Sequence, residues 1–258
     1  MKIPDIQNQS DSRNIVIDKV GVKGLRYPIV VEDRINKTQH TVAELDIYVE
    51  LPHYLRGTHM SRFVEILHHY HQEALIGNLE NFLNELKDSL QAEAAYININ
   101  FPYFISKKAP ISHISSILSY DCEFSASLKE EYDLLIGVRV PVTSLCPCSK
   151  EISAEGAHNQ RSIISIKARY QEFVWLEELI EIAESSASCE IYSLLKRVDE
   201  KYVTEKAYNN PKFVEDIVRE VTLKLEQDDR ITGFLVESEN AESIHSHNAY
   251  ALISRLHK

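Results

Sequence analysis

The sequence predicts an α+β protein made of two tandem β-β-α-α-β-β units, each with an antiparallel sheet and a helix pair on one face. Three observations carry this. Several segments are rich in β-branched and aromatic residues, with apolar and polar positions partly alternating, as in Leu45, Ile47 and Val49. Other segments repeat apolar residues at helical spacing, as in Leu79, Phe82, Leu83, Leu86 and Leu90. The order of the two kinds recurs in the two halves of the chain without obvious sequence identity, so the duplication is one of architecture.

Residues 1–12 form a polar arm, expected to be flexible; residues 13–130 form the first unit and 131–258 the second. In the first, "NIVIDKVGVKGLRYPIVV" and "TVAELDIYVELP" are strands joined by the polar turn "EDRINKTQ". Phe63, Ile66, Leu67 and Tyr70 then mark one helix and the Leu79–Leu90 pattern a second. "AAYININFPYFISKK" and "SHISSILSYDCEFSASLK" return to period two as a second strand pair. The second unit places strands in "YDLLIGVRVPVTSL" and "RSIISIKARYQEF", and helices in "WLEELIEIAESSAS" and "PKFVEDIVREVTLKLEQ". Its last strands are "ITGFLVES" and "NAYALISRL". Asn210 followed by Pro211 suits a helix start, with Asn as cap and Pro in the first turn. Long edge strands need covering, which favours oligomerisation.

Composition narrows the function. A net charge of −11 argues against nonspecific nucleic-acid binding, which needs a basic surface to displace counterions. The start "MKIPDIQNQSDSRN" has no apolar stretch of the signal-peptide kind, and no run approaches the roughly 18 apolar residues of a membrane span. A soluble, cytoplasmic protein without a membrane partner is expected. Four cysteines, Cys122, Cys146, Cys148 and Cys189, read as free thiols or metal ligands rather than a disulfide framework. With 7 glycines and neither GxGxxG nor GxxxxGK[ST], a glycine-rich phosphate loop is nearly excluded.

Two blocks stand out chemically. In "VTSLCPCSKEISAEGAHNQRS", Cys146 and Cys148 flank Pro147 just after a strand, and His158 lies in a hairpin that can fold back on them. A thiolate and an imidazole there suit a zinc site, although C-x-C is not the spacing of a structural zinc knuckle and no second pair follows. A packed turn with small buried cysteines is the competing reading. In "SIHSHNAYALI", His245 and His247 lie at i, i+2 before or within the last strand and point to one face, where one can move a proton or bind a ligand; ordinary strand-end histidines are the alternative. His68, His69 and His71 carry no expected role. "RGTHMSRFVEIL" opens a helix with His59, Ser61 and Arg62, a combination that can hold phosphate or simply cap the helix; Lys150 and Arg161 flank the Cys/His block in the same spirit.

Taken together, "GLRYPIVV", "GTHMSRF", "VTSLCPCSKEIS", "GAHNQRS", "CEIYSLLKRVDEKYVTEKAYNNPKFVEDIVRE" and "ESIHSHNAYA" resemble GTP cyclohydrolase type IB, from about residue 13 to the C-terminus. The resemblance implies the tunnelling fold, a homotetramer with active sites at subunit interfaces, and a divalent metal, zinc or manganese. It implies conversion of GTP and water to 7,8-dihydroneopterin triphosphate and formate, the first step toward tetrahydrofolate. Carried onto this chain, it implies Cys146, His158 and Glu200 as metal ligands, with Glu190, Asp199 and Glu205 in the same block as Glu200. It further implies Glu215 as the purine anchor. His245, or else His247, is the expected proton-transfer group, and His59, Ser61, Arg62, Lys150 and Arg161 are the expected triphosphate contacts. Cys148 is expected to lie outside the ligand set, either supporting the site from behind the ligands or serving as an oxidation partner of Cys146. Two rivals remain: the tunnelling-fold nitrile oxidoreductase of queuosine synthesis, which uses a reactive cysteine and NADPH, and a noncatalytic protein stabilised by zinc.

Overall fold

The computed structural model describes residues 6, 7, 9–70, 74 and 76–256, and its chain divides into two compact units. Among the described residues there are nine strands and six α-helices. The first unit comprises residues 1–101 and 123–135, and the second residues 102–122 and 136–258.

In the first unit, β1 (Ile17–Asp33) and β2 (Lys37–Leu51) form a long antiparallel hairpin. Its turn is closed by Asp33, whose carboxylate accepts from the backbone N–H groups of Ile35 (2.9 Å) and Asn36 (2.6 Å). Gly21 is needed in β1 because a Cβ there would stand 2.0 Å from the Ile47 carbonyl oxygen. β2 pairs in turn with β3 (Ala95–Lys108), from Glu44 opposite Asn100 to Val49 opposite Ala95. The period-two pattern puts Ala43, Leu45, Ile47 and Val49 of β2 and Ala95, Ile97 and Ile99 of β3 in the core. Over that face lie α1 (Met60–His69) and α2 (Leu79–Leu90), which bury Phe63, Ile66 and Leu67, and Leu79, Phe82, Leu83 and Leu86. Each such side chain stabilises the fold by roughly 1.5–3 kcal/mol. β4 (Ser115–Leu128), of which only residues 123–128 belong to this unit, completes the expected β-β-α-α-β-β order along the chain. Of the N-terminal arm, Gln7, Gln9 and Asp11 exchange backbone hydrogen bonds with Tyr54, Arg56 and Gly57; residues 1–5 and 8 lie outside the described residues, as does His71.

The second unit follows the same order with insertions. β5 (Tyr132–Leu145), β6 (Asn159–Tyr170), β8 (Ile231–Asn240) and β9 (Ala249–Ser254) form an antiparallel ladder in that sequence. The two-residue β7 (Cys189–Glu190) adds to β5. Val138, Val140 and Val142 of β5 and Ile164 and Ile166 of β6 face the apolar stripes of α4 (Leu176–Ser186) and α6 (Val214–Glu226).

Two further helices had no sequence signal of this kind. α3 (Pro147–Ile152) is a six-residue helix within the cysteine block, with no buried residue. α5 (Arg197–Asn209) buries only Asp199 and Ala207. The Asn210-Pro211 pair does not start α6 as expected. α6 begins at Val214 with Phe213 at its cap, where the Asp216 carboxylate accepts from the Phe213 N–H at 3.0 Å. Asn210 instead ends α5, and its Nδ2 donates to the carbonyls of Ala187 (2.9 Å) and Ser188 (3.2 Å). A partner elsewhere in the chain thus outcompetes the local cap.

Candidate active site

The β5–β6 register ends with Leu145 opposite Asn159. One step further, the Cys146 N–H donates to the His158 carbonyl at 3.1 Å, so Cys146 and His158 stand across from each other at the end of the ladder. Ser149 fastens them: its hydroxyl donates to the Cys146 carbonyl at 3.2 Å and accepts from the His158 N–H at 3.1 Å. Cys146 is the N-cap of α3, with Pro147 following, and its Sγ accepts from the Ser149 N–H at 3.4 Å. Both cysteines of the block are free; Cys146 is half-buried and Cys148 exposed.

Behind the pair runs a polar row on the same face of the ladder. His158 Nδ1 lies 3.0 Å from Gln160 Oε1 and 3.3 Å from the Ser243 hydroxyl. Gln160 Nε2 donates to Ser144 Oγ at 3.1 Å and to Glu242 Oε1 at 3.4 Å, and the Ser144 and Ser162 hydroxyls are 2.7 Å apart.

The loop between β8 and β9 crosses this end of the unit through Glu242 and Ser243. It also carries His245 and His247, which lie just before β9; their exposed rings stack with centroids 5.2 Å apart and planes 14° from parallel. The chain leading into α6 is held here too, because the Lys212 N–H donates to the Leu145 carbonyl at 3.0 Å. Glu215 follows in the first turn of α6, exposed, with no hydrogen-bond or ion-pair partner among the described residues.

The acids near Glu200 separate by their partners. Asp199 is fully buried and accepts from the N–H groups of Ile111 (2.9 Å), Ser112 (2.8 Å) and Lys196 (2.9 Å) and from the Ser112 hydroxyl (2.6 Å). Burial opposes its ionisation, but these donors outweigh it and hold the carboxyl well below the usual range. Glu190 pairs with Lys206 at 2.5 Å and accepts from the Tyr192 hydroxyl at 2.7 Å. Its burial is likewise overcome, and the pKa falls to about 2. Glu205 lies 3.8 Å from Lys201 on the solvent side of α5. Glu200 alone of the four has a carboxylate without a partner among the described residues, and it is exposed.

A cavity of about 460 Å³ lies in this unit, lined among others by Thr143, Asn159, Arg161, Glu190, Tyr192 and Thr204. Val203, Thr204 and Ala207 of α5 line it, three, four and seven residues after Glu200, so Glu200 extends the same helical face. Cys189 also lines it, but burial first, and then the Glu190 charge, push its thiol up to about 12, which makes it an inert neutral group. The Glu190–Tyr192–Lys206 cluster was not singled out from the sequence; its members lie 2 and 16 positions apart with no local pattern to join them.

Of the expected phosphate contacts, Arg161 borders this cavity. Lys150 is committed elsewhere: its Nζ donates to the Tyr208 carbonyl at 2.5 Å and lies 4.4 Å from the Tyr208 ring centre. In the first unit, His59 is at the N-cap position of α1 and Ser61 is exposed in its first turn, while Arg62 donates to the Ser89 carbonyl at 2.7 Å. His59 and Arg62, with Gly57, Thr58 and Gln91, line a small cavity of about 80 Å³. The structure thus brings Cys146, His158 and the His245 loop together. Among the described residues no three His, Cys, Asp or Glu side chains converge as a metal site, so Glu200 is not joined to the pair.

The chain matches the family model for type I GTP cyclohydrolase folE2 over residues 3–251. It is 59% identical over 251 residues to GTP cyclohydrolase FolE2 of Geotalea uraniireducens, covering 97% of this chain and 93% of that one. The same-named protein of Nitrosococcus oceani is 53% identical, with 98% and 95% covered. Among solved structures, the urate oxidase of Bacillus sp. TB-90 aligns over 92% of this chain and 98% of its own with a TM-score of 0.53 at 12% identity. Urate oxidase from Bacillus subtilis 168 aligns over 92% and 97%, with a TM-score of 0.51 at 9% identity. That likeness is one of fold, the tunnelling fold expected from the sequence. On the near full-length match to the family model and to these relatives, the chain belongs to the type I GTP cyclohydrolase FolE2 family.

Proposed function

We propose that this protein is a cytoplasmic GTP cyclohydrolase I that converts GTP and water to 7,8-dihydroneopterin triphosphate and formate, the first step of tetrahydrofolate synthesis. The observation that carries the reading is the pairing of Cys146 with His158 at the end of the β5–β6 ladder, beneath the loop that bears His245. It stands beside the family membership.

Cys146, His158 and Glu200 are the proposed ligands of a divalent ion, zinc or manganese. A thiolate, an imidazole and a carboxylate suit such an ion and leave a coordination position open. Cys146 and His158 stand across from each other at the ladder's end, and Glu200 is the acid of its block with no competing partner among the described residues. When bound, the ion would supply Lewis acidity at C8 of guanine and at the formyl group released from it.

The other roles belong to the chain itself. The carboxylate of Glu215 presents two acceptor oxygens that match the adjacent N1–H and N2–H₂ donors of guanine. Adenine lacks that donor pair and would leave the carboxylate unsatisfied. His245 is the proposed proton carrier during imidazole opening, with His247 stacked against it. His59, Ser61, Arg62 and Arg161 are proposed to gather the triphosphate in an otherwise acidic protein. Lys150 can join them only by leaving Tyr208. A homotetramer with active sites at subunit interfaces is part of this proposal.

The test incubates chelator-treated protein with GTP, with and without added Mn²⁺ or Zn²⁺, beside Cys146→Ala. Formate and, after mild oxidation, neopterin fluorescence are measured. Product that depends on metal and is lost in the variant is expected. A folded protein that forms no product with any metal would refute the reading and direct the search to a nitrile substrate with NADPH.

A further inference from the structure

Gln160 is the least exposed polar residue near the Cys146–His158 pair that touches both His158 and the neighbouring loop, at 7% accessibility. Its amide has two ends, and its neighbours decide which faces which. Glu242, as a carboxylate, can only accept, so the nitrogen end of Gln160 must point to it, at 3.4 Å. The same nitrogen reaches Ser144 Oγ at 3.1 Å. The oxygen end is thereby left to His158 Nδ1 at 3.0 Å, and an amide oxygen can only accept; the Ser243 hydroxyl, 3.3 Å from the same nitrogen, can take either role and so follows the closer amide. His158 must then carry its proton on Nδ1. In the neutral ring the lone pair sits on Nε2.

We propose that Gln160 is a positioning residue that holds His158 as the Nδ1–H tautomer and so presents the Nε2 lone pair for metal binding. The inference rests on the metal reading above but concerns a residue to which that reading gives no role. The ladder builds the arrangement. His158 and Gln160 are two residues apart and share a face, and Ser144 is the register partner of Gln160. Ser144 and Ser162 are fully buried, and their hydroxyls, 2.7 Å apart, close the row beneath Gln160, which fixes its side-chain rotation. The bond to Glu242 extends the same hold to the loop carrying His245. A residue that merely plugged the end of the core would fill this volume equally well as methionine.

The experiment uses the full-length protein, with circular dichroism to establish folding. Zn²⁺ affinity is measured by competition with a chromophoric chelator, and the His158 tautomer is read in metal-free protein from long-range ¹H–¹⁵N spectra of histidine-labelled samples. Gln160→Met keeps the volume and loses the acceptor; it is expected to weaken Zn²⁺ binding by about 10–100-fold and to shift His158 away from the Nδ1–H form. The exchange variant Gln160→Glu with Glu242→Gln restores an acceptor for Nδ1–H and a donor between the two positions, and is expected to recover most of the affinity and the Nδ1–H signature. It also provides the decision should Gln160→Met not fold. Unchanged affinity and tautomer in a folded Gln160→Met would overturn the proposal. If the wild type itself bound no Zn²⁺, the metal reading would fail, and the tautomer spectra alone would decide whether Gln160 sets the ring.

Discussion

α5 and α6 are both 13 residues long, and each carries in its first turn a carboxylate of the proposed site, Glu200 and Glu215. They are held in opposite ways. α6 buries Val214, Ile217, Val218, Val221 and Leu225 against the sheet and α4. α5 has no such stripe and is fixed at discrete polar points: Asp199 to the Ile111–Ser112 turn, Lys206 to Glu190, and the Tyr208 carbonyl to Lys150. Hydrophobic packing sets α6 along its whole length, while directional bonds set α5 at a few places. Glu215 therefore rides on a platform that depends on volume, and Glu200 on one that depends on charge and hydrogen bonding.

Substitutions can break this contrast. The largest effect on stability is expected from Ile217→Ala, in the centre of the α6 stripe, which should cost about 2–5 kcal/mol by urea unfolding. Glu190→Gln should cost less, about 1–2 kcal/mol, since its partner Lys206 is partly solvated. It should also change the acid profile. The folded pKa of Glu190 is about 2 against an ordinary 4.5, so its contribution is complete above pH 4.5 and is lost as pH falls toward 2. The variant should lose less stability than the wild type over that window. Equal acid slopes in the two proteins would show that the pair does not anchor α5. The smallest effect is expected from Val198→Ala, whose side chain is 54% exposed on α5; it should fall within about 0.5 kcal/mol of the wild type.

The same contrast explains what the sequence disclosed. β2, α2, α4 and α6 are readable because burial imposes a period of two or 3.6, and the alternation of Leu45, Ile47 and Val49 corresponds to side chains with at most 1% exposure. α5 carries no such imprint, since its ties are to Ile111, Ser112 and Glu190, residues far away in the chain. Asn210 caps no helix start for the same reason: its amide serves the distant carbonyls of Ala187 and Ser188. At the site, the cysteine and histidine blocks were visible as motifs. Which of Glu190, Asp199, Glu200 and Glu205 is free to bind was not, because spacing says nothing about which carboxylates already have donors. Gln160 is in the sequence only a letter of its motif, and its bonds to His158, Ser144 and Glu242 emerge from the register of β5 and β6 and the return of the β8–β9 loop.

The most direct measurement is metal stoichiometry by equilibrium dialysis of the wild type, Glu200→Gln and Glu215→Gln, together with GTP turnover. One Zn²⁺ or Mn²⁺ per chain is expected in the wild type and in Glu215→Gln, with weakened metal binding in Glu200→Gln. Turnover should be lost in both variants. Equal metal binding by all three proteins would contradict the assignment of Glu200 as a ligand and leave the Cys146–His158 pair to find its third partner elsewhere.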